Sequence, residues 1–558
     1  MKFTRLYNLL CLSAALVSGS LWAENLLGPQ TAPSRPKNIV IMVGDGMGPA
    51  YTSAYRYYQD NPSTQEIEQT VFDRLLVGNA STYPAPVSGY VTDSAAAATA
   101  LATGVKTYNG AVSVDTNKRP VPTLLELAKK RGMSTGVTVT SQINHATPAA
   151  FLSHNESRRN YEALAESYLN TEADVMLGGG QRYFSDKLIE QFEAKGYQVI
   201  KDAALLDGVT QPKVMGLFAD VQLPWAIDEP EARRLSTMTA KALDLLSQND
   251  QGFVLLVEGS LIDWAGHNND IATAMAEMHE FAGAIEVVEQ YVRQHQDTLL
   301  VVTADHNTGG LSIGTHGDYR WDSQVLRQVN ASPARIASQA LSEDEWQSGV
   351  SGALGFTPSG EEFSALDSAR MQGEKVLTSQ LKKLIDQRSN TGWTTGGHTG
   401  VDVQVFAAGP ASSLFAGHQD NTDIAHKLIS LLPKPAKAKP ANAKPANAKP
   451  VSAKPVSAKP ASVLPAEPET IESPKTEAPE TAPLEAEEKA ETTAQDIAAM
   501  NTSAQADVEA QAAELSEKMQ STASEPDAEE AFRQASDLLS EGAESQSAAP
   551  VSEVDNQD

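Results

Sequence analysis

The chain has 558 residues, with 43 Lys and Arg against 71 Asp and Glu, and a formal net charge of −28. This length predicts one large domain with appendages. The acidic balance argues against nucleic-acid binding, which needs a positive surface to displace counterions from phosphates. It does not exclude a phosphate-binding pocket, because metal ions can supply local positive charge inside an acidic protein.

The amino terminus has the pattern of an export signal. Lys2 and Arg5 precede an apolar run over residues 9–17, and small residues lead to Ala23. This order predicts a secretory signal peptide over residues 1–23, followed by an N-terminal segment over 24–36, and hence a periplasmic or secreted protein. An uncleaved membrane anchor is the alternative, although the run is shorter than the roughly 20 residues that span a bilayer.

The sequence contains a single cysteine, Cys11, and it lies inside this apolar run. The mature chain is therefore expected to have no disulfide, and no thiolate that could act as nucleophile or ligand. Any metal ion must then be held by His, Asp and Glu.

Apolar, strand-like runs alternate with helical segments from Pro36 to about Leu432. The runs are short, continuous and rich in Val, Ile and Leu, which is typical of strands buried on both faces. They cover residues 38–43, 135–140, 253–257, 298–303 and 401–407, with helices predicted at 122–131, 231–247 and 271–295. This alternation predicts the α/β class, with a largely parallel sheet and helices on both sides. Residues 311–395 lack the rhythm and are expected to be an excursion from the sheet.

The composition changes after Leu432. Residues 433–466 repeat a five-residue unit containing Lys-Pro, and proline at this spacing predicts an extended linker. Residues 467–558 are acidic and poor in aromatics, so they cannot bury enough apolar surface to offset the entropy of ordering. This tail is predicted to be mostly disordered. It either contacts the cell envelope or a partner, or is only a solvated extension.

A serine opens an alanine-rich helix in the motif Thr-Asp-Ser-Ala, residues 92–95. Ser94 would face the unpaired amides and the positive dipole end of this helix. The same groups attract a phosphate and favour the alkoxide form of the hydroxyl, so Ser94 is a candidate nucleophile. The alternative is that Asp93 or Ser94 only caps the helix.

Carboxylates and imidazoles recur where the predicted strands end. Asp45 ends the first strand between glycines, although it could also be a simple turn residue. Asp263 and His267 are spaced i, i+4, which brings both onto one helical face. The candidate metal ligands at or near strand ends are Asp45, Glu258, Asp263, His267, Asp305, His306 and His398.

A sheet brings such strand ends together, so these side chains are expected to form a metal centre. Oxygen and imidazole ligands without sulfur suit catalytic zinc and harder cations such as magnesium. A pair of zinc ions could activate Ser94 and stabilise a departing alcohol. Arg158 could bind two phosphate oxygens in bidentate fashion, although alone it would read with Arg159 as a charged surface pair.

These motifs together resemble the bacterial alkaline phosphatase family over roughly residues 38–432. The resemblance rests on Gly-Asp-Gly-Met-Gly, Thr-Asp-Ser-Ala, Thr-Gly-Val-Lys-Thr-Tyr-Asn-Gly, Ala-Thr-Pro-Ala and Thr-Ala-Asp-His. It implies a three-layer α/β/α sandwich, with a catalytic domain over residues 37–432 that carries 311–395 as an insertion, and usually a homodimer. The implied reaction is hydrolysis of phosphate monoesters through a phosphoserine on Ser94.

The resemblance also implies two zinc ions and a third ion, usually magnesium. The first zinc would be held by Asp263, His267 and His398, the second by Asp45, Asp305, His306 and Ser94, and the third ion by Thr147, Asp45 and Glu258. Arg158 would bind the phosphate, beside Asp93, His145 and Trp264. His145 and Trp264 stand where the best-known enterobacterial enzyme has Asp and Lys, which leaves occupancy of the third site open. Thr308 replaces another histidine of that enzyme.

Two other functions remain open from the sequence. A related phosphodiesterase or sulfatase could use a similar metal site, but no sulfatase nucleophile motif is present and Arg158 favours monoesters. A metal-stabilised binding protein of the cell envelope would need neither a nucleophile nor an arginine, and would show no turnover.

Overall fold

A ten-stranded sheet forms the centre of the protein in a computed structural model that describes residues 35–434. The predicted export signal, nearly all of the linker and the acidic tail lie outside the described residues. Ten of the strands below form this sheet and four form two short pairs. The strands are β1 (Asn38–Gly44), β2 (Leu76–Ser81), β3 (Ser134–Gln142), β4 (Val175–Gly179), β5 (Gln198–Ile200), β6 (Val214–Leu217), β7 (Phe253–Gly259), β8 (Thr298–Ala304), β9 (Asn307–Thr308), β10 (Ser312–Ile313), β11 (Thr391–Gly392), β12 (His398–Thr399), β13 (Val403–Ala408) and β14 (Gly417–Asp420).

The sheet has the strand order β14-β2-β13-β8-β1-β7-β3-β4-β6-β5, and only β13 opposes the common direction. At its centre β1 pairs in parallel with both β7 and β8, and all three strands are fully buried. The carboxyl ends of parallel strands therefore meet at one edge. The antiparallel β13 begins at this same edge, so a residue just before it also arrives there.

Helices cover both faces of the sheet. On one face Ile271–Gln294 packs against Pro49–Gln59 and Arg234–Leu246, and on the other Ser94–Thr103 packs against Ala146–Leu152 and Asn421–Leu431. This confirms the predicted three-layer α/β/α sandwich. The helices are α1 (Pro49–Gln59), α2 (Val71–Leu75), α3 (Ser94–Thr103), α4 (Leu124–Lys129), α5 (Ala146–Leu152), α6 (Tyr161–Ser167), α7 (Asp186–Ala194), α8 (Arg234–Leu246), α9 (Leu261–His267), α10 (Ile271–Gln294), α11 (Ser323–Gln328), α12 (Pro333–Ser342), α13 (Trp346–Leu354), α14 (Gly360–Arg370), α15 (Glu374–Ser389) and α16 (Asn421–Leu431).

Local side-chain chemistry sets the element ends that the sequence placed loosely. The helix predicted from residue 122 begins at Leu124, the first residue of α4, because Thr123 and Glu126 form a reciprocal capping box just before it. The helix predicted from residue 231 begins at Arg234, the first residue of α8. The preceding residue, Arg233, adopts a left-handed conformation with φ 42°, through which a right-handed helix cannot continue. The last predicted strand begins at Val403 rather than at residue 401.

Residues 311–395 contribute no strand to the ten-stranded sheet, and their two ends lie side by side because β10 and β11 pair with each other in antiparallel fashion. Between them lie the helices α11 to α15, of which α15 packs against α11, α12 and α14. We call residues 311–395 the helical excursion. No helix within residues 35–434 is long and apolar enough to cross a membrane.

Candidate active site

Asp45 directly follows β1 at the carboxyl edge and is fully buried. Among the described residues neither of its carboxylate oxygens has a hydrogen-bond partner. The Nε2 atom of the buried His306 lies 3.4 Å from Asp45 Oδ1. Burial, followed by the charge of Asp305, raises the pKa of Asp45 well above its usual value. A buried, unpartnered carboxylate is unstable unless it is protonated or bound to a cation, so this position calls for one of the two.

Asp93 and Ser94 divide two tasks at the start of α3. Asp93 is the N-cap, and its side chain accepts a hydrogen bond of 3.0 Å from the amide of Ala96. Ser94 is the first helical residue and is buried, with its Oγ 3.0 Å from His306 Nε2. The capping role that the sequence left open therefore belongs to Asp93, and the Ser94 hydroxyl faces the clustered ligands at the positive end of the helix.

Arg158 is held beside this helix start by two side chains. One guanidinium nitrogen donates to Asp93 Oδ2 at 3.1 Å, and another lies 3.1 Å from His145 Nε2. Because a guanidinium can only donate, His145 Nε2 must accept and the ring proton sits on Nδ1. Burial, followed by the charge of Arg158, lowers the pKa of His145 well below its usual value, which keeps the ring neutral. Trp264 packs against this ring edge-to-face with a centroid distance of 5.8 Å.

Asp263, His267 and His398 form a first group of possible cation ligands, with α9 bringing the first two onto one face. The Nδ1 atoms of His267 and His398 lie 2.7 and 2.8 Å from the carbonyl oxygens of Gly396 and Thr92. Carbonyl oxygens only accept, so both Nδ1 atoms carry the proton and both Nε2 atoms present lone pairs. These Nε2 atoms are 3.1 Å apart, and 3.3 and 3.6 Å from the oxygens of Asp263. Facing lone pairs beside a carboxylate fit a cation such as zinc.

Asp45, Asp263 and His306 form a second group, whose ligand atoms lie within 4.8 Å of one another. Asp305 adjoins it, with Oδ1 accepting two backbone amides and Oδ2 lying 3.2 Å from His306 Nε2. The sequence had placed Asp263 with the first group, whereas the structure shows its carboxylate facing both groups.

Asp45 also belongs to a third group, with Glu258 and His145. Within residues 35–434 neither Glu258 oxygen has a hydrogen-bond partner, and the same holds for the Oγ1 atom of buried Thr147 at the start of α5. Burial raises the pKa of Glu258 to about 8, and the charge of Asp305 adds to the shift. The residues present fit a cation bound through oxygen, and His145, which the sequence had tied to this site, lies beside them with its Nε2 atom engaged by Arg158.

The groups that orient these ligands gave little or no signal in the sequence. Two are the backbone carbonyls of Thr92 and Gly396, which any residue type would supply. A third is the side chain of Thr308, whose hydroxyl donates to Asp263 Oδ1 and lies 3.2 Å from His306 Nδ1. The sequence marks Thr308 as a departure from the enterobacterial enzyme that can change ligand orientation, whereas its contact with both groups is visible only in the folded chain.

The fold and this edge of the sheet define an α/β protein that gathers carboxylates and imidazoles able to hold cations at the carboxyl ends of parallel strands. Comparison with known proteins specifies the family. The alkaline phosphatase family model matches residues 36–433. Alkaline phosphatase 3 of Bacillus subtilis is 42% identical over 410 residues, covering 71% of this chain and 89% of that protein.

Solved structures agree with this assignment. The crystal structure of a cold-active alkaline phosphatase from Shewanella sp. is 70% identical, with a TM-score of 0.71, over 71% of this chain and 100% of that one. The alkaline phosphatase of the Antarctic bacterium TAB5 is 25% identical, with a TM-score of 0.55, over 72% and 99% of the two chains. The chain belongs to the alkaline phosphatase family and is a phosphomonoester hydrolase. This sets aside the alternative of a binding protein without turnover.

Cation binding at the third group should release protons below pH 8. In the metal-free protein Glu258, with a pKa of about 8, keeps its proton below that pH, whereas a cation binds the ionised carboxylate. Apparent Mg²⁺ affinity should therefore fall as the pH drops below 8, by up to about tenfold per unit for each displaced proton. Calorimetric titration in buffers of different ionisation enthalpy measures this release.

Two variants control that measurement. Glu258→Gln should bind Mg²⁺ weakly and release about one proton fewer. Glu277→Gln removes another buried glutamate with a raised pKa, of about 7, whose carboxylate accepts the Ala226 amide away from the ligands. Glu277→Gln should bind Mg²⁺ with the affinity of the parent protein and release the same number of protons. A pH-independent affinity in the parent would contradict the assignment of Glu258.

Proposed function

We propose that the protein hydrolyses phosphate monoesters to an alcohol and inorganic phosphate through a phosphoserine intermediate on Ser94. The observation that carries this proposal is the position of the Ser94 hydroxyl, buried at the start of α3 and 3.0 Å from His306 Nε2. The Arg158 guanidinium, bonded to the neighbouring Asp93, supplies the complementary anion site. A nucleophile and an anion-binding group thus share one helix start.

We assign two zinc ions and one magnesium ion to the three ligand groups. When bound, zinc ions lower the pKa of the attacking hydroxyl and stabilise the departing oxygen. The first zinc would be held by Asp263, His267 and His398, the second by Asp45, Asp305, His306 and Ser94, and the magnesium by Asp45, Thr147 and Glu258 with His145 nearby. A histidine-to-aspartate mutant of the TAB5 enzyme, 26% identical to this chain, has Mg bound in its M3 site.

The side chains of this protein then have separate tasks in the two steps. Arg158 binds two non-bridging phosphate oxygens, and its bond to Asp93 keeps the guanidinium oriented before substrate arrives. Ser94 Oγ gives up its proton and forms a bond to phosphorus as the ester P–O bond breaks, and the departing oxygen takes up a proton and leaves as the alcohol. Water then attacks phosphorus and the Oγ–P bond breaks, which releases inorganic phosphate and returns a proton from water to Ser94 Oγ.

Replacing the nucleophile should abolish this chemistry while leaving the fold intact. We expect Ser94→Ala to lower turnover of p-nitrophenyl phosphate at mildly alkaline pH by at least about a thousandfold, because the covalent step is lost. A chelator should abolish parent turnover, and zinc with magnesium should restore it. Ser153→Ala is the matched control, since it removes a buried hydroxyl that bonds Ser167 instead.

The outcomes separate the substrate from the mechanism. A diester cleaved in preference to the monoester would keep the metal site but change the substrate class. Turnover by Ser94→Ala at the parent rate would refute the phosphoserine. Rapid quench with a ³²P-labelled monoester should label the parent protein and leave Ser94→Ala unlabelled.

Arg158→Ala should weaken phosphate binding more than it slows the chemistry. Each charge-assisted hydrogen bond is worth about 1.5–3 kcal/mol, so the inhibition constant of inorganic phosphate should rise about tenfold to a hundredfold or more. Turnover should remain measurable, because the metal ligands are untouched. The exposed neighbour Arg159 provides the control, and Arg159→Ala should be inhibited like the parent. Unchanged inhibition of Arg158→Ala would exclude the anion-binding role.

We also infer export after Ala23 and assembly as a homodimer. Support for assembly comes from exposed apolar side chains in the loop before Ser94, where Val87 and Tyr90 are 74% and 88% exposed. Native mass spectrometry of protein purified from producing cells tests both inferences, with a subunit starting at Glu24 and a complex of two subunits expected. A monomer, or a subunit retaining residues 1–23, would contradict the respective part. Contact of the acidic tail with the envelope stays a prediction.

A further inference from the structure

The helical excursion ends in a segment that forms part of the first ligand group. We call residues 394–398 the ligand strip. Its Gly396 carbonyl lies 2.7 Å from His267 Nδ1 and fixes the tautomer of that ring. Its last residue, His398, is itself a candidate ligand. The position of the ligand strip therefore determines two of the three side chains in the first group.

The ligand strip is fastened to the segment that follows β8 and carries the second group. The amides of Thr394 and Thr395 donate to the Gly309 carbonyl at 3.1 and 3.2 Å, and the Gly309 amide donates to Gly397 at 2.8 Å. Next to these bonds β12 pairs with β9, so that His398 lies opposite Thr308. The Thr394 hydroxyl adds a bond of 2.9 Å to the Gly310 carbonyl, so the strip is held along one short loop.

Trp393, the residue just before the strip, contacts the same loop through its side chain by packing directly on Gly309. A Cβ atom at Gly309 would lie only 2.6 Å from Trp393 Cε3 and 2.9 Å from the Gly266 carbonyl oxygen, so only glycine leaves room for the indole. Gly309 also has φ +77°, which an L side chain rarely adopts. The indole thus contacts the loop that accepts the strip, next to the helix α9 that carries His267.

The other end of the indole reaches the excursion. Trp393 Nε1 donates to Asp386 Oδ1 at 3.3 Å, and Asp386 lies on α15, the last helix of the excursion. The neighbouring chain is tied down as well, since Ser389 and Thr391 share a hydrogen bond of 2.7 Å and Trp321 Nε1 donates to Thr391 at 3.0 Å. Trp393 therefore connects a packed helical element to the loop between the ligand groups.

We propose that Trp393 is a positioning residue, oriented by Asp386, through which the helical excursion holds His267 and His398 in place for the first cation. The inference depends on the proposed function only in taking this group as a zinc site. The excursion then has a role although it supplies none of the candidate ligands within its helices. Groups that orient metal ligands from outside typically change metal affinity by about tenfold to a hundredfold when removed.

The test measures zinc retention and geometry in the full chain. Parent and variants, loaded with zinc, are dialysed against graded chelator, and Co²⁺-substituted samples are compared by visible absorption. Trp393→Ala should lose first-site zinc at about tenfold to a hundredfold lower chelator and alter the Co²⁺ spectrum. Trp393→Phe keeps a ring on Gly309 but loses the N–H donor, so a smaller loss of about threefold is expected.

Asp386 variants test the orienting bond without touching the ring. Asp386→Asn retains an oxygen acceptor and should retain zinc within about twofold of the parent, whereas Asp386→Leu should match Trp393→Phe. Trp346→Phe is the control, because it removes an indole that packs on Phe363 and Arg370 elsewhere in the excursion. It should leave zinc retention and the Co²⁺ spectrum unchanged.

The result that overturns the proposal is parent-like zinc retention and Co²⁺ spectrum in folded Trp393→Ala, or in both Trp393→Phe and Asp386→Leu if the alanine variant does not fold. Equal zinc loss in Trp346→Phe would also overturn it, since it would reduce the effect to general destabilisation. Parent turnover of a phosphate monoester is measured in the same samples. If the parent protein binds zinc but shows no turnover, the proposed function is wrong. The proposal for Trp393 is still tested in that case, because zinc retention can be compared between the parent and its variants.

Discussion

Buried ligand atoms without partners are the constraint on which the rest of this structure depends. The two oxygens of Asp45 and the two oxygens of Glu258 lie in the interior with no hydrogen-bond donor among residues 35–434. Removing an ionised carboxylate from water costs several kcal/mol or more, and the raised pKa values of both residues reflect that cost. Cations bound as proposed would offset this cost by pairing with the ionised carboxylates.

The parallel sheet makes such a concentration of ligands possible. With β1 between β7 and β8, the residues that follow three neighbouring strands reach one edge, and all three strands are fully buried. The single antiparallel strand, β13, extends the effect, because His398 approaches the same edge from the opposite chain direction. The ligand set therefore combines residues that are 353 positions apart, from Asp45 to His398.

Orientation of the ligands comes from the layer around them. Backbone carbonyls determine which nitrogen of His267 and of His398 carries the proton, and Asp93 determines where the Arg158 guanidinium points. Each contact comes from a different part of the fold. The Gly396 carbonyl lies in the ligand strip, the Thr92 carbonyl in the loop before α3, and Asp93 at the start of α3. The site is thus precise without a disulfide, because it is braced by hydrogen bonds from several directions.

The sequence by itself determined the α/β class, the strands that end at the site and the family, because apolar runs, helix starts and clustered ligand residues are local patterns. Residue type and spacing predicted Ser94 and most of the candidate ligands, and the family resemblance added Thr147 and supported Arg158. It could not determine that Asp263 faces two ligand groups, that Thr308 contacts both of them, or that Trp393 packs on Gly309. Those relations join residues far apart in the chain, and some act through backbone groups common to every residue, so only tertiary packing decided them.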